Sequence, residues 1–294
     1  MNHLSHLSIL SFSGSDVKDF LQGQMTQDIN SISNQSYKMT SILNPKGRMI
    51  VSGLIKRSED IFFLIISKDL SEDILNWLSR YILRSDVIIT IEDFNIIGLD
   101  NVNHKKLINH QDDSQQLNIS PIDVDKDRYI LIINNQVVTK DNSIQSINEN
   151  DWTLADIKSG LAIIDKNNSE KYIPQMINLD LLEGISFSKG CYTGQEVVAR
   201  VQHRGKIKQR MFHIIIESNS NEIDARSEVM CEDKKVGSIV ISKKSNNYFH
   251  ALAVINTINT RLDPNTVAYI LEHSDAKMLI TDTQFSPIVK LALE

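Results

Sequence analysis

The stretch from Ser36 to Lys56 limits the fold more than any other part of this sequence. Two largely apolar runs, Ser36 to Leu43 and Arg48 to Lys56, are separated only by Asn44-Pro45-Lys46-Gly47. Proline presets the second position of a tight turn and glycine suits its last, so the runs fold back as an antiparallel hairpin. Lys46 and Arg48 sit near its tip, where two cations on a rigid turn suit an anionic ligand. Around the hairpin the pattern alternates. Leu4 to Phe12 reads as a strand, and Ser13-Gly14-Ser15-Asp16 opens a helix through about Leu21. Ile61 to Ser67 is a further strand. Leu70, Ile74, Trp77, Leu78 and Ile82 then recur at helical spacing, and Val87 to Ile91 returns to strand. This order predicts an α+β architecture with helices laid on an antiparallel sheet.

Asn101 to Ser120 is rich in Asn, Gln, Asp and His and reads as a variable loop. Its His104 and His110 have no acidic or cysteine partner at metal-ligand spacing. Arg128 to Ile133 predicts a strand, and Asp151 to Gly160 a short helix that buries Trp152. From Met211 onward the period shortens into Phe212 to Glu217, Glu228 to Cys231, Gly237 to Ser242 and Tyr248 to Ile255, which predicts a small β-barrel. A length of 294 residues allows two or three such modules. No run approaches the roughly 18 apolar residues of a membrane span. The opening Met-Asn-His-Leu-Ser lacks the pattern of a secretory signal, so a cytoplasmic protein without a membrane partner is expected. A net charge of -6 argues against direct RNA binding, with one local exception in Arg200, His203, Arg204, Lys206, Lys208 and Arg210.

The densest chemical statement is Lys189-Gly190-Cys191-Tyr192-Thr193-Gly194-Gln195-Glu196. Cys191 and Cys231 are the two cysteines of the chain. Two thiols are neither a disulfide framework nor the four ligands of a usual iron–sulfur cluster, so no resident metal is expected. Gly190 is expected to adopt a backbone conformation closed to other residues, and Thr193 and Glu196 spell a capping box for a helix from Gln195 to near His203. Cys191 then lies just ahead of a helix N-terminus. There the helix dipole, helped by Lys189, favours thiolate over thiol.

The run from Phe187 to Arg200, which contains this motif, resembles the signature of the YgfZ family of folate-binding proteins, relatives of the glycine-cleavage T-protein. Phe20-Leu21-Gln22-Gly23-Gln24 with Thr26 and Asp28, Asn44 to Arg48, and Ile173-Pro174-Gln175 with Asn178-Leu179-Asp180 support the resemblance, which extends over about Met1 to Ile255. It implies a three-domain ring of the aminomethyltransferase type: 1–95 and 96–205 as α/β sandwich-like domains that interleave, and 206–256 as the barrel. It also implies a bound tetrahydrofolate and a role in making or repairing iron–sulfur clusters in client enzymes, some of which modify tRNA. Carried over residue by residue, Cys191 is the family's essential thiol and a transient cluster ligand. Lys46, Arg48, Tyr192, Gln195, Glu196 and Arg200 become candidate folate contacts.

Two departures from the T-protein matter. That relative has an aspartate soon after the hairpin asparagine, where this chain has Arg48, Met49 and Ile50, and a glutamate before the helix-ending glycine, where this chain has Lys158. Aminomethyl transfer is therefore disfavoured, although a folate-dependent one-carbon transferase and a non-catalytic docking protein both stay open as readings. The segment from about Ile255 to Glu294 resembles an internal fragment of AMP-forming acyl-CoA ligases, without that family's phosphate-binding loop. It is expected to form a helix over Pro264 to Met278 and a strand over Leu279 to Asp282, in a tail of 257–294 outside the core fold.

Overall fold

The computed structural model describes residues 2–109, 118–134, 145–205, 207–218, 220, 222–224, 227–231, 234–256, 264, 265, 268 and 286–293. The first sheet comprises β1 (Leu7–Ser13), β2 (Lys38–Leu43), β3 (Met49–Ser58), β4 (Ile61–Ser67) and β5 (Ile88–Glu92), in the order β2-β3-β4-β1-β5 and antiparallel throughout. Helices α1 (Val17–Gln24) and α2 (Ser71–Ile82) accompany it. One sheet face, with Leu10, Phe12, Ile42 and Leu64, packs on Leu21, Ile74 and Leu78 of those helices. The opposite face, with Leu7, Met39, Met49 and Ile65, enters a second core with Trp152, Tyr172, Tyr192 and Leu252. Burial on both faces explains why β3 and β4 read as nearly continuous apolar runs instead of alternating ones.

The second sheet, ordered β6-β8-β7, is built from β6 (Phe94–Asp100), β7 (Asn118–Ile122) and β8 (Asp125–Asn134). The reading of 101–120 as a loop is corrected here: α3 spans Asn101–Asn109 and β7 begins at Asn118. The Asp100 carboxylate accepts from the Asn103 N–H at 2.7 Å and starts the helix, and Leu107 seats it on Ile97, Leu99, Leu131 and Ile133. His104 stacks on Tyr129 with ring centroids 3.6 Å apart, and His110 lies outside the described residues. α4 (Glu149–Lys158) follows, capped by Asn148, whose side chain accepts from the Asp151 N–H at 3.0 Å.

α5 (Gln195–His203) leads into the third sheet, with β9 (Gln209–Glu217), β10 (Glu228–Cys231), β11 (Lys234–Ser245) and β12 (Tyr248–Asn256) in the order β10-β11-β12-β9. Among the described residues its ladder stays open instead of closing into a barrel. This sheet is tied to the rest by Asn168, whose Nδ2 donates to the Val240 carbonyl at 2.9 Å, and by a 2.9 Å Tyr172 hydroxyl contact with Ser238 Oγ. Beyond Asn256, Pro264, Asn265 and Ala268 are helical, and α6 covers Ser286–Leu293. The expected strand over 279–282 lies outside the described residues. Among the described residues no helix is long and apolar enough to cross a membrane.

Candidate functional site

Two clamps hold the cysteine motif, and both come from the first sheet's end of the chain. The hairpin between β2 and β3 supplies one. Asn44 Oδ1 accepts from the N–H groups of Lys46 at 2.9 Å and Arg48 at 3.0 Å, while its Nδ2 donates to Glu170 Oε1 at 2.8 Å. The turn is thus locked by one side chain, with Gly47 at φ +71°. That turn packs directly on the start of α5: a Cβ on Gly47 would lie 2.6 Å from Val197 Cβ, and one on Gly194 would lie 2.6 Å from the Asn44 carbonyl oxygen. Gly194 also sits at φ +80°, so a side chain there meets both a backbone penalty and a clash.

The end of α1 and the loop after it supply the other clamp. Thr26 Oγ1 donates to the Gly184 carbonyl at 2.7 Å, Gln27 Nε2 to that of Glu183 at 2.7 Å, and Gly23 accepts from the Thr193 N–H at 3.2 Å. Lys189 reaches back the other way. Its Nζ donates to the carbonyls of Met25 and Gln27, each at 2.7 Å, and lies 5.1 Å from the centre of the Tyr192 ring. Burial pushes the Lys189 ammonium down to about 8, against the opposing pull of Asp28. Burial likewise pushes the Tyr192 phenol up to about 12.

Three expectations are corrected by this geometry. Thr193 is not the cap of α5: Gly194 holds the N-cap position, with no side-chain cap hydrogen bond, because the close approach to Asn44 admits only glycine there. Gly190 has no left-handed φ and open space where a Cβ would stand, so the constrained glycine of the motif is Gly194. Lys189 directs its ammonium to backbone carbonyls and acts as an anchor, where the sequence suggests a partner for the thiol.

Cys191 is exposed between buried Lys189 and buried Tyr192, and its thiol is free. Of the candidate folate contacts, Lys46 is exposed at the hairpin tip and Arg48 is half-buried, its guanidinium donating to the Lys171 carbonyl. The Tyr192 ring is buried under Lys189 and offers no open stacking face. Gln195 is half-buried at the first turn of α5, and Glu196 and Arg200 are exposed along it. The structure therefore brings the hairpin cations and the start of α5 together, with Tyr192 beneath. Arg210 leaves the predicted basic run and binds Asp180 through two contacts of 2.6 and 2.7 Å.

The residues present fit a folate in two respects. Lys46 and Arg48 suit its carboxylates. Fully buried Gln175 spends Nε2 on the Val198 carbonyl at 2.9 Å and leaves Oε1 without a partner, an acceptor of the kind a pterin's N–H groups satisfy. The sequence does not single out Gln175, Asn44 or Glu170 as site residues, and only the place of Gln175 in the Ile173-Pro174-Gln175 segment signals it. An open cleft of about 740 Å³ lies on the α2 side, lined by Trp77, Arg80, Lys166 and Glu170 among others, and includes no residue of the cysteine motif. Among the described residues no group of three or more His, Cys, Asp or Glu is arranged to hold a metal ion.

No protein-family model matches the chain. It is 32% identical over 241 residues to an uncharacterized protein of Haemophilus influenzae, covering 80% of this chain and 81% of that one. The tRNA-modifying protein YgfZ of an Enterobacter species is 30% identical over 230 residues, covering 72% of this chain and 70% of the relative. The protein of the same name from Buchnera aphidicola is 28% identical over 292 residues, covering 92% and 86%. Among solved structures, the glycine cleavage system aminomethyltransferase T of Bartonella henselae matches with a TM-score of 0.59 at 10% identity, over 86% of this chain and 77% of that one. That likeness gives the fold: α+β of the aminomethyltransferase type.

Proposed function

The chain belongs to the YgfZ family of tRNA-modifying proteins, and from that premise we propose that it is a folate-binding accessory factor that supports iron–sulfur client enzymes through the Cys191 thiol. The observation that carries the reading is the exposure of Cys191 while the side chains of Lys189 and Tyr192 on either side of it are buried. Lys189 and Tyr192 are fixed inward, the hairpin and the 23–28 segment clamp the flanks, and the Cys191 thiol is presented outward. Its chemistry is exchange with a disulfide or persulfide, or transient ligation of a cluster shared with a partner. Tetrahydrofolate, when bound, supplies a carrier for one-carbon units. Lys46 and Arg48 hold its carboxylates, and Gln175 Oε1 accepts from its pterin.

The one-carbon transferase reading is weaker, because Met49, Ile50 and Val51, which follow the hairpin tip, are apolar and buried and offer no carboxylate to handle a folate nitrogen. The proposal is tested in cells deprived of this protein. Cys191→Ala leaves an iron–sulfur enzyme of tRNA modification inactive, read as loss of the modified nucleoside; full restoration by that variant would remove the thiol from the proposal. Calorimetry with tetrahydrofolate tests the other half. Lys46→Ala/Arg48→Ala is expected to weaken binding about tenfold or more, and absence of heat with the wild-type chain would remove the folate.

A further inference from the structure

We propose that the exposed face of α5, together with the segment 187–191 beside it, is a docking surface for an acidic segment of a partner protein, which it brings to the Cys191 thiol. The inference rests on the reading of Cys191 as the working thiol and names the partner chemistry of that same site.

Glu196, Arg200 and His203 follow one another at spacings of four and three along α5, so they share a helix face, and all three are exposed. Arg204, at the C-cap, is exposed as well. Phe187 meets His203 edge-on, with ring centroids 6.3 Å apart, yet keeps 38% of its surface in solvent. Thr193 and Gly194 adjoin the other end of the same helix, so the chain from Phe187 to Thr193 runs beside α5 in the opposite direction. Four Cα–Cα steps, at most about 14 Å, separate Phe187 from Cys191. An exposed aromatic ring, an exposed thiol and the cations of Arg200 and Arg204 therefore share one patch.

The charge of the patch identifies its occupant. Neither Arg200 nor Arg204 has an acidic partner among the described residues, whereas Arg210 is spent on Asp180. Glu196 sits four residues before Arg200 on this face, so the open positive charge lies toward the C-terminal end of α5, at Arg200 and Arg204, where it is complementary to a negatively charged segment of a partner. The chain's net charge of -6 repels an extended polyanion such as RNA, whereas a short acidic segment meets only the local cations, and Phe187 offers an apolar contact that its leucine side chains can use.

The test uses the full-length protein and two synthetic peptides of about a dozen residues, on the scale of a short recognition segment. Each carries one cysteine as its mixed disulfide with thionitrobenzoate, one among Glu and Leu and the other among Lys and Leu. The Cys191 thiolate attacks the peptide sulfur and the old disulfide breaks. A Cys191–peptide disulfide forms and thionitrobenzoate leaves with the electron pair, so its absorbance reads the rate with no net oxidation. Rates are corrected by those of Cys191→Ser. The acidic peptide is expected to react about tenfold faster than the basic one at low ionic strength, an advantage that shrinks in high salt. Arg204→Glu is expected to abolish the advantage, and Phe187→Ala to slow the acidic peptide. Dipyridyl disulfide, small and neutral, should react equally with the wild type and Arg204→Glu. Equal rates for the two peptides, or an advantage that survives Arg204→Glu, would overturn the docking surface while leaving the thiol reading intact. Protection of Cys191 by bulk tRNA without discrimination between the peptides would overturn it in favour of RNA. Failure of the native protein to react with dipyridyl disulfide would instead overturn the thiol reading beneath it.

Discussion

Lys189 and Arg128 are both buried cations, and the molecule satisfies them in opposite ways. Arg128, on β8, is balanced by charge: its guanidinium meets Asp156 at 2.6 Å and Asp125 at 2.8 Å and stacks 4.6 Å from the centre of the Trp152 ring. This fixes α4 to the second sheet. Lys189 has neutral partners, the carbonyls of Met25 and Gln27, and tethers the cysteine motif to the loop after α1. Burial of the charge marks neither residue as the reactive one. Under the proposed function the chemistry of the motif falls to the exposed Cys191 and not to the buried cation.

Breaking the charge-balanced cluster should have the larger effect. Arg128→Met leaves the Asp156 carboxylate buried without its cation and should lower stability by about 3–5 kcal/mol in urea unfolding. A loss below about 1 kcal/mol would mean that the cluster does not hold α4. The cluster also carries a pH signature. Burial raises the Asp156 carboxyl to about 6, against the pull of Arg128, from an ordinary value of 3.8. Between those two values the folded state binds more protons than the unfolded state, so stability should fall as pH rises from about 4 to about 6. Asp156→Asn should flatten that slope.

Gly194→Ala tests the interlock of hairpin and helix and should cost about 1–3 kcal/mol through its positive φ and the clash with Asn44. Lys189→Met should cost about 1–2 kcal/mol, since two hydrogen bonds are lost but a buried charge is relieved. With its folded value lowered to about 8 from 10.5, Lys189 should make wild-type stability rise with pH between those values, and the variant should lack the rise. Cys191→Ser should move the unfolding midpoint least, by no more than the roughly 0.5 kcal/mol typical of surface sites. A large destabilisation there would erase the distinction between anchor and thiol.

The parts of this architecture legible in the sequence are those fixed by local chemistry. Asn44-Pro45-Lys46-Gly47 writes its own turn, and the apolar spacing of α2 and the run from Gln195 to His203 write their helices. The capping box at Thr193 misleads because the start of α5 is decided by Asn44, some 150 residues earlier, whose carbonyl oxygen admits only glycine at 194. α3 escapes notice because it is polar and depends on Asp100 as cap and Leu107 as its one buried apolar anchor. Cys191 is legible as the candidate thiol. The direction of Lys189 is not, because it depends on carbonyls more than 160 residues away.

The motif turns Lys189 and Tyr192 inward and presents the Cys191 sulfur. Client iron–sulfur enzyme activity, measured per molecule of folded protein in cells carrying only Cys191→Ser, tests this division of roles most directly. An unfolding midpoint like that of the wild type together with no rescue of the client is the expected result. Rescue to the wild-type level by that variant would contradict it.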